Sequence, residues 1–166
     1  MEWEGFFELN RCFFEEEIQD RIYMEEALLM AKKGFDLDEV PVGSVLVYQG
    51  EIVARAHNLV EANQDASMHA EMICLKLGTE HFKNWRLQGT TLYSTLEPCV
   101  MCAGALLLHR LERVVWGAPD LRHGAHGSWV NLLAHQHPTH TLRVTRGVME
   151  EEASRLMKRF FSQKRV

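Results

Sequence analysis

Apolar and polar positions follow two different periods along this chain. Ile18, Ile22, Ala27, Leu28 and Ala31 recur at helical spacing, and Gly34 is placed to end that helix. Residues 42–48 (VGSVLVY) and 51–58 (EIVARAHN) are runs rich in β-branched side chains separated by Gln49-Gly50, which predicts a β-hairpin. Helical spacing returns in MHAEMICLKL and predicts a helix over 67–78. TTLYSTL (90–96) reads as a strand, and Pro98 suits the first turn of a following helix, CVMCAGALLLHRL. RVVWGA is a third clear strand, TLRVTR (141–146) a weaker one, and residues 150–161 form a final amphipathic helix. Residues 119–140 follow neither period. That is long for a connection inside one domain, and long ordered loops are often functional.

Helices alternating with strands after an opening hairpin predict an α/β protein. The expected form is a three-layer α/β/α sandwich on a mixed, roughly five-stranded sheet. No repeat, low-complexity segment or linker divides it. Residues 1–20 are expected to be an N-terminal extension, part of the domain or packed on it, and residues 21–166 a single domain. The extension carries Phe6, Phe7, Phe13 and Phe14 among acidic side chains.

With 166 residues, 46% hydrophobic and 25% charged, the composition is that of an ordinary globular domain. The N-terminal stretch is acidic and lacks a long apolar run, so it reads as neither a signal peptide nor a membrane span, and the expected location is cytoplasmic. The net charge of −5 is unevenly spread. Residues 1–39 carry −8 and the remainder +3, and the last twelve residues, RLMKRFFSQKRV, hold five basic groups and no acid. Such a tail is either a solvated helix end or an anion-binding surface with two aromatic rings inside it.

Four cysteines in a chain of this kind point to metal or thiol chemistry rather than a disulfide framework. Cys12 and Cys74 stand alone. Cys99 and Cys102, three apart behind Pro98, could form a redox pair, half of a structural zinc site, or part of a catalytic one. A catalytic zinc needs three protein ligands and an open fourth position. His69 supplies the third ligand, and Glu71 beside it supplies a carboxylate able to move protons. Both pairs fall at predicted helix starts, where partial positive charge favours thiolates. His69, Cys99 and Cys102 would then hold one Zn²⁺ per chain, with Glu71 as general acid and base. The remaining histidines read singly as surface or structural groups. His123, His126, His135, His137 and His140 cluster in the long loop, where contact with substrate is the alternative.

H-x-E followed by P-C-x-x-C resembles the zinc-dependent deaminase superfamily. Beyond that motif, EVPVGSVLV (39–47), Asn58, LEPCVMCAGAL (96–106), RVVWGAPD (113–120), GAHGS (124–128), RVTRGVMEEE (143–152) and RFF (159–161) are similar to the bacterial tRNA-specific adenosine deaminases. The resemblance implies a cytidine-deaminase-like fold, a homodimer, and conversion of adenosine to inosine at the wobble position of a tRNA anticodon stem-loop. It assigns Asn58 to the target nucleotide, Val40 to the pocket wall together with Pro41 and Val42, and Asp120 to the substrate backbone. Arg122, Arg159, Phe160 and Phe161 are the further candidates for RNA contact, with Arg155, Lys158, Lys164 and Arg165 as phosphate partners from the same tail. Consecutive helical residues point about 100° apart, so at most one of Phe160 and Phe161 is expected to face a nucleotide while the other enters the core. The loop GAPDLRHGAHGS departs from the family pattern at Pro119, Leu121 and Arg122, and Trp129 stands where a smaller aliphatic is usual. The competing reading is a deaminase of a free base or nucleotide: guanine, cytosine or deoxycytidylate. From another class, a non-catalytic zinc-stabilised RNA-binding protein is disfavoured by Glu71, which a structural metal site does not need.

Overall fold

The computed structural model describes residues 2–135 and 137–164, with side chains from Phe14 onward. The side chains of Phe6, Phe7, Cys12 and Phe13, and all of Arg165, lie outside the described residues. A long helix α1 (Glu2–Asp36) leads into the hairpin β1 (Gly43–Tyr48) and β2 (Glu51–His57). A single turn α2 (Val60–Asn63) and helix α3 (Ala70–Phe82) follow, then β3 (Thr90–Leu96) and α4 (Val100–Leu108). Strand β4 (Arg113–Ala118), the long loop, β5 (Arg143–Arg146) and α5 (Glu150–Lys164) complete the chain.

The five strands lie in the order β2-β1-β3-β4-β5. β1 pairs antiparallel with β2 and β3, while β3–β4 and β4–β5 are parallel. The hairpin turns at Gln49 and Gly50, both with positive φ, as a tight two-residue turn requires. Successive strand residues face opposite sides of the sheet. Leu46, Leu92 and Val114 accordingly join Cys74, Leu75, Leu106 and Leu107 on the α3/α4 side. Val45, Tyr93 and Val115 join Met24 and Ala27 of α1 on the other. These are the layers expected from the sequence. Among the described residues no helix is long and apolar enough to cross a membrane.

Helix α1 differs from expectation in two ways. It runs through Gly34 to Asp36, and its buried stripe is Asp20, Met24, Ala27, Ala31 and Gly34. Ile18 and Ile22, expected on the core face, are 57% and 47% exposed. The helix lies close to β1 because Gly43 allows it: a Cβ there would come within 2.0 Å of the Ala27 carbonyl oxygen. The helix is continuous across position 20, where Asp20 is buried against Arg113.

Candidate active site

Two helix N-termini meet at the end of the sheet where β3 and β4 finish. His69 is the residue immediately before α3, with ψ of 150°, and Cys99 the one immediately before α4, with ψ of 173°. Their extended backbones aim both side chains out of the helix axes, and Cys102, one turn into α4, completes a triangle. His69 Nδ1 lies 3.6 Å from Cys99 Sγ and 3.5 Å from Cys102 Sγ, and all three donor atoms fall within 4.8 Å of one another.

This donor set fits zinc. A tetrahedral ion with bonds of about 2.3 Å to sulfur and about 2.0–2.1 Å to nitrogen requires a nitrogen–sulfur edge of about 3.6 Å, the separation found here. The hydrogen bond from Cys102, together with His69 nearby, pushes the Cys99 thiol down to about 4. Facing that thiolate and buried, Cys102 has its own value raised. A divalent cation removes the repulsion between the two sulfurs and takes both as thiolates. His69 is raised, chiefly by its bond to Cys99.

Glu71 lies in the first turn of α3, 3% exposed, and its Oε2 has no hydrogen-bond partner. Burial pushes its carboxyl up to about 7. The other buried acids among the described residues, Asp20, Glu39 and Glu97, are all hydrogen-bonded, so an unpartnered carboxylate oxygen beside three candidate metal donors marks Glu71 as a candidate acid–base group.

His69, Glu71 and Cys99 line the floor of a cleft of about 970 Å³, with Cys102 buried beneath it. Of the residues expected to bind substrate, Val40, Asn58, Asp120, Arg122 and Phe161 line it. Asn58 is 5% exposed and donates from Nδ2 to Glu39 Oε2 at 3.1 Å. Glu39 itself is 1% exposed and also accepts from the backbone N–H of Glu61 at 3.2 Å and of Ala62 at 2.7 Å. Asp120 accepts from the N–H groups of Arg122 and His123 and so shapes its own turn.

Four expected RNA contacts, Arg155, Arg159, Phe160 and Lys164, do not line the cleft. Phe160 is buried edge-on against Phe35, with ring centroids 5.6 Å apart, and Arg159 stacks its guanidinium 5.2 Å from that same ring. The rotation of about 100° per residue explains it: the turn that faces Phe161 to the cleft carries Phe160 into the core. Lys158 of the same basic run does line the cleft, and Ser154 and Met157 join it. Lys164 pairs with Asp38 at 2.6 Å.

Sequence reasoning missed two buried carboxylates, Glu39 and Glu97. Glu97, 1% exposed, accepts from the N–H groups of Asp120, His126 and Ser128 and from the Ser128 hydroxyl. It gathers residues 119–130 against the site. Gly124 permits this, since a Cβ there would meet the Glu97 carboxyl carbon at 2.4 Å. The available signal was an acid wedged between an apolar strand and Pro98-Cys99.

Comparison with known proteins agrees with this geometry. The cytidine and deoxycytidylate deaminase zinc-binding region matches residues 17–118. The tRNA-specific adenosine deaminase of Bacillus subtilis (strain 168) is 48% identical over 147 residues, covering 89% of this chain and 91% of that protein. The chloroplastic tRNA(adenine(34)) deaminase of Arabidopsis thaliana is 45% identical over 176 residues, 96% of this chain, which spans 13% of that longer protein. A solved structure from work on A-to-I editing by tRNA:A34 deaminases at the wobble position of transfer RNA superposes with a TM-score of 0.77. It is 37% identical and covers 81% of this chain and 97% of its own. Guanine deaminase from Nitrosomonas europaea shares the fold, with a TM-score of 0.72 at 19% identity over 86% of this chain and 84% of its own. With 48% identity over most of both chains to a tRNA-specific adenosine deaminase and a zinc-binding deaminase region over residues 17–118, the chain belongs to the tRNA-specific adenosine deaminases of the zinc-dependent cytidine and deoxycytidylate deaminase superfamily.

Proposed function

We propose that the protein hydrolyses the 6-amino group of adenosine at the wobble position of a tRNA anticodon loop, leaving inosine and ammonia, in the cytoplasm. The observation that carries the reading is Glu71 Oε2, buried and unpartnered on the cleft floor beside His69, Cys99 and Cys102. Those three residues would hold the zinc. When bound, the ion supplies the Lewis acidity that makes water nucleophilic near neutral pH. Glu71 takes one proton of the attacking water as its oxygen bonds to C6 and passes it to N1, then carries the second, from the new C6 hydroxyl, to the departing nitrogen as the C6 carbonyl forms. The C6–N bond breaks and ammonia leaves. Val40 and Asn58 hold the base over the floor.

A stem-loop is favoured over a free base by the size and rim of the cleft. About 970 Å³ is at the top of the range for small-molecule pockets, and leaves room for a nucleotide with its neighbours. Phe161, 42% exposed, offers a ring for stacking, with Lys158 and Arg122 alongside for phosphates. A homodimer is supported by Val100, Met101 and Leu108, all exposed on one face of α4, with Trp129 and Val130 also exposed. Gly104 in the middle of that α4 face has open space before it, which suits close approach of a second copy.

The test is to incubate the zinc-loaded protein with an anticodon stem-loop carrying adenosine at the wobble position, and separately with adenosine, cytidine and guanine. Inosine is expected in the stem-loop alone. Turnover of guanine or cytidine with an unreactive stem-loop overturns the proposal. Glu71→Ala should retain zinc and lose activity on the order of 10²–10⁴-fold. Light scattering should give twice the chain mass at micromolar concentration.

A further inference from the structure

We propose that Glu39 is a positioning residue that fixes the orientation of the Asn58 side-chain amide, and so determines what Asn58 presents to the bound nucleotide. The inference rests on the proposed contact between Asn58 and substrate. An asparagine amide can be flipped to exchange its oxygen and its NH₂ group at little steric cost, and the two arrangements recognise opposite partners. A carboxylate only accepts hydrogen bonds. Glu39 Oε2, 3.1 Å from Asn58 Nδ2, therefore admits one arrangement: the NH₂ group turned toward Glu39. The other amide hydrogen and Oδ1 are left for the cleft that Asn58 lines.

Glu39 is itself immobilised. It is 1% exposed, and the N–H groups of Glu61 and Ala62 bind its two carboxylate oxygens at 3.2 and 2.7 Å. The backbone around Asn58 is equally constrained. Its N–H donates to the Val42 carbonyl at 3.0 Å, and its carbonyl lies 2.8 Å from His57 Nδ1. With the backbone held on both sides, the amide flip is the remaining freedom, and Glu39 removes it. Asn58 and Glu61, which both line the cleft, are thus tied to one buried carboxylate.

The experiment is a double-mutant cycle in kcat/KM on the anticodon stem-loop, using Glu39→Gln, Asn58→Ala and the double variant, with zinc content and thermal melts recorded for each. A glutamine at 39 can donate as well as accept, so both amide arrangements become allowed. Glu39→Gln alone should lower kcat/KM roughly 10- to 100-fold, the loss of one charge-assisted hydrogen bond, with zinc retained. In the Asn58→Ala background the same change should cost less than about twofold. Equal losses in both backgrounds would overturn the proposal, whereas Asn58→Ala without effect would instead defeat the assignment of Asn58 to substrate. A readout independent of activity is the Asn58 side-chain NH₂ signal in ¹⁵N spectra, assigned by its absence in Asn58→Ala. Its hydrogens should be protected from exchange in the wild-type protein and exposed in Glu39→Gln; unchanged protection would also overturn the proposal. Should Glu39→Gln not fold, Glu39→Asp, which keeps the charge but withdraws it by one methylene, runs the same cycle with the same criteria.

Discussion

Asp20 in α1 and Arg113 at the start of β4 form a two-pronged ion pair, Nη1 to Oδ1 at 2.8 Å and Nη2 to Oδ2 at 2.6 Å, with both side chains only 5–6% exposed. Tyr93 donates to the same Asp20 Oδ1 at 2.9 Å, and Thr145 accepts from Arg113. The pair joins the N-terminal helix to the end of the sheet opposite the zinc donors. Removing Asp20 leaves the buried Arg113 with only the partly exposed Glu16, 2.9 Å from its Nη1, so Asp20→Ala should cost about 3 kcal/mol in urea unfolding, the lower end of the range for a broken buried pair. Zinc content of the folded variant should be unchanged. A loss below about 1 kcal/mol would mean that water reaches the pair.

Freshly purified protein should contain close to one zinc per chain by elemental analysis. Cys102→Ser should lose it more completely than Cys99→Ser, because Cys102 is fully buried and a substitute water has no path to its place. Full retention of zinc in either variant would contradict the ligand set.

The adjacent phenylalanines of α5 should separate cleanly. Phe160→Ala removes a buried ring and should lower stability by about 3–5 kcal/mol. Phe161→Ala should leave the melting temperature nearly unchanged and weaken stem-loop binding by about 1–3 kcal/mol. Finding the effects exchanged between the two positions would refute the helix orientation.

His126 gives a pH dependence. Burial of its ring lowers its imidazole below the ordinary value of 6.5. The unfolded chain therefore binds the proton more readily than the folded one. Stability from this group is present above that value and lost as pH falls below it. Compared with His126→Gln, the wild-type protein should lose more thermal stability between about pH 8 and about pH 5.5. A pH-independent difference between the two would show that the ring titrates freely.

Much of this architecture could be read from the chain because its signals are local. Residues 90–96 and 113–118 are apolar runs bounded by breakers and became strands over those same residues. Gln49-Gly50 specified the hairpin through backbone conformation alone. His69 and Cys99 could be placed at helix starts because their neighbours carry the helical period. What escaped depended on distant partners. Asp20 looks like a solvent-facing acid until Arg113, far along the chain, is set against it, and that displaced Ile18 and Ile22 from the expected core face. Gly78 resembles a helix end, yet α3 continues to Phe82, and the glycine is there because Leu46 fills the space a side chain would need. Glu39 and Glu97 are single carboxylates in sequence, and only folding reveals the backbone N–H groups they collect.

Glu97 also bears on how such a protein can change. Its grip on residues 119–130 is mostly through main-chain N–H groups, which every residue but proline possesses. The side chains between the grips are unconstrained by it: Leu121 is 78% exposed, and Arg122 and His123 are exposed beside it. Pro119, Leu121 and Arg122 consequently differ from the family pattern without disturbing the anchorage. The segment behaves as an interchangeable fingertip on a permanent knuckle, so the side chains at its tip can be replaced while the floor of the cleft keeps its shape.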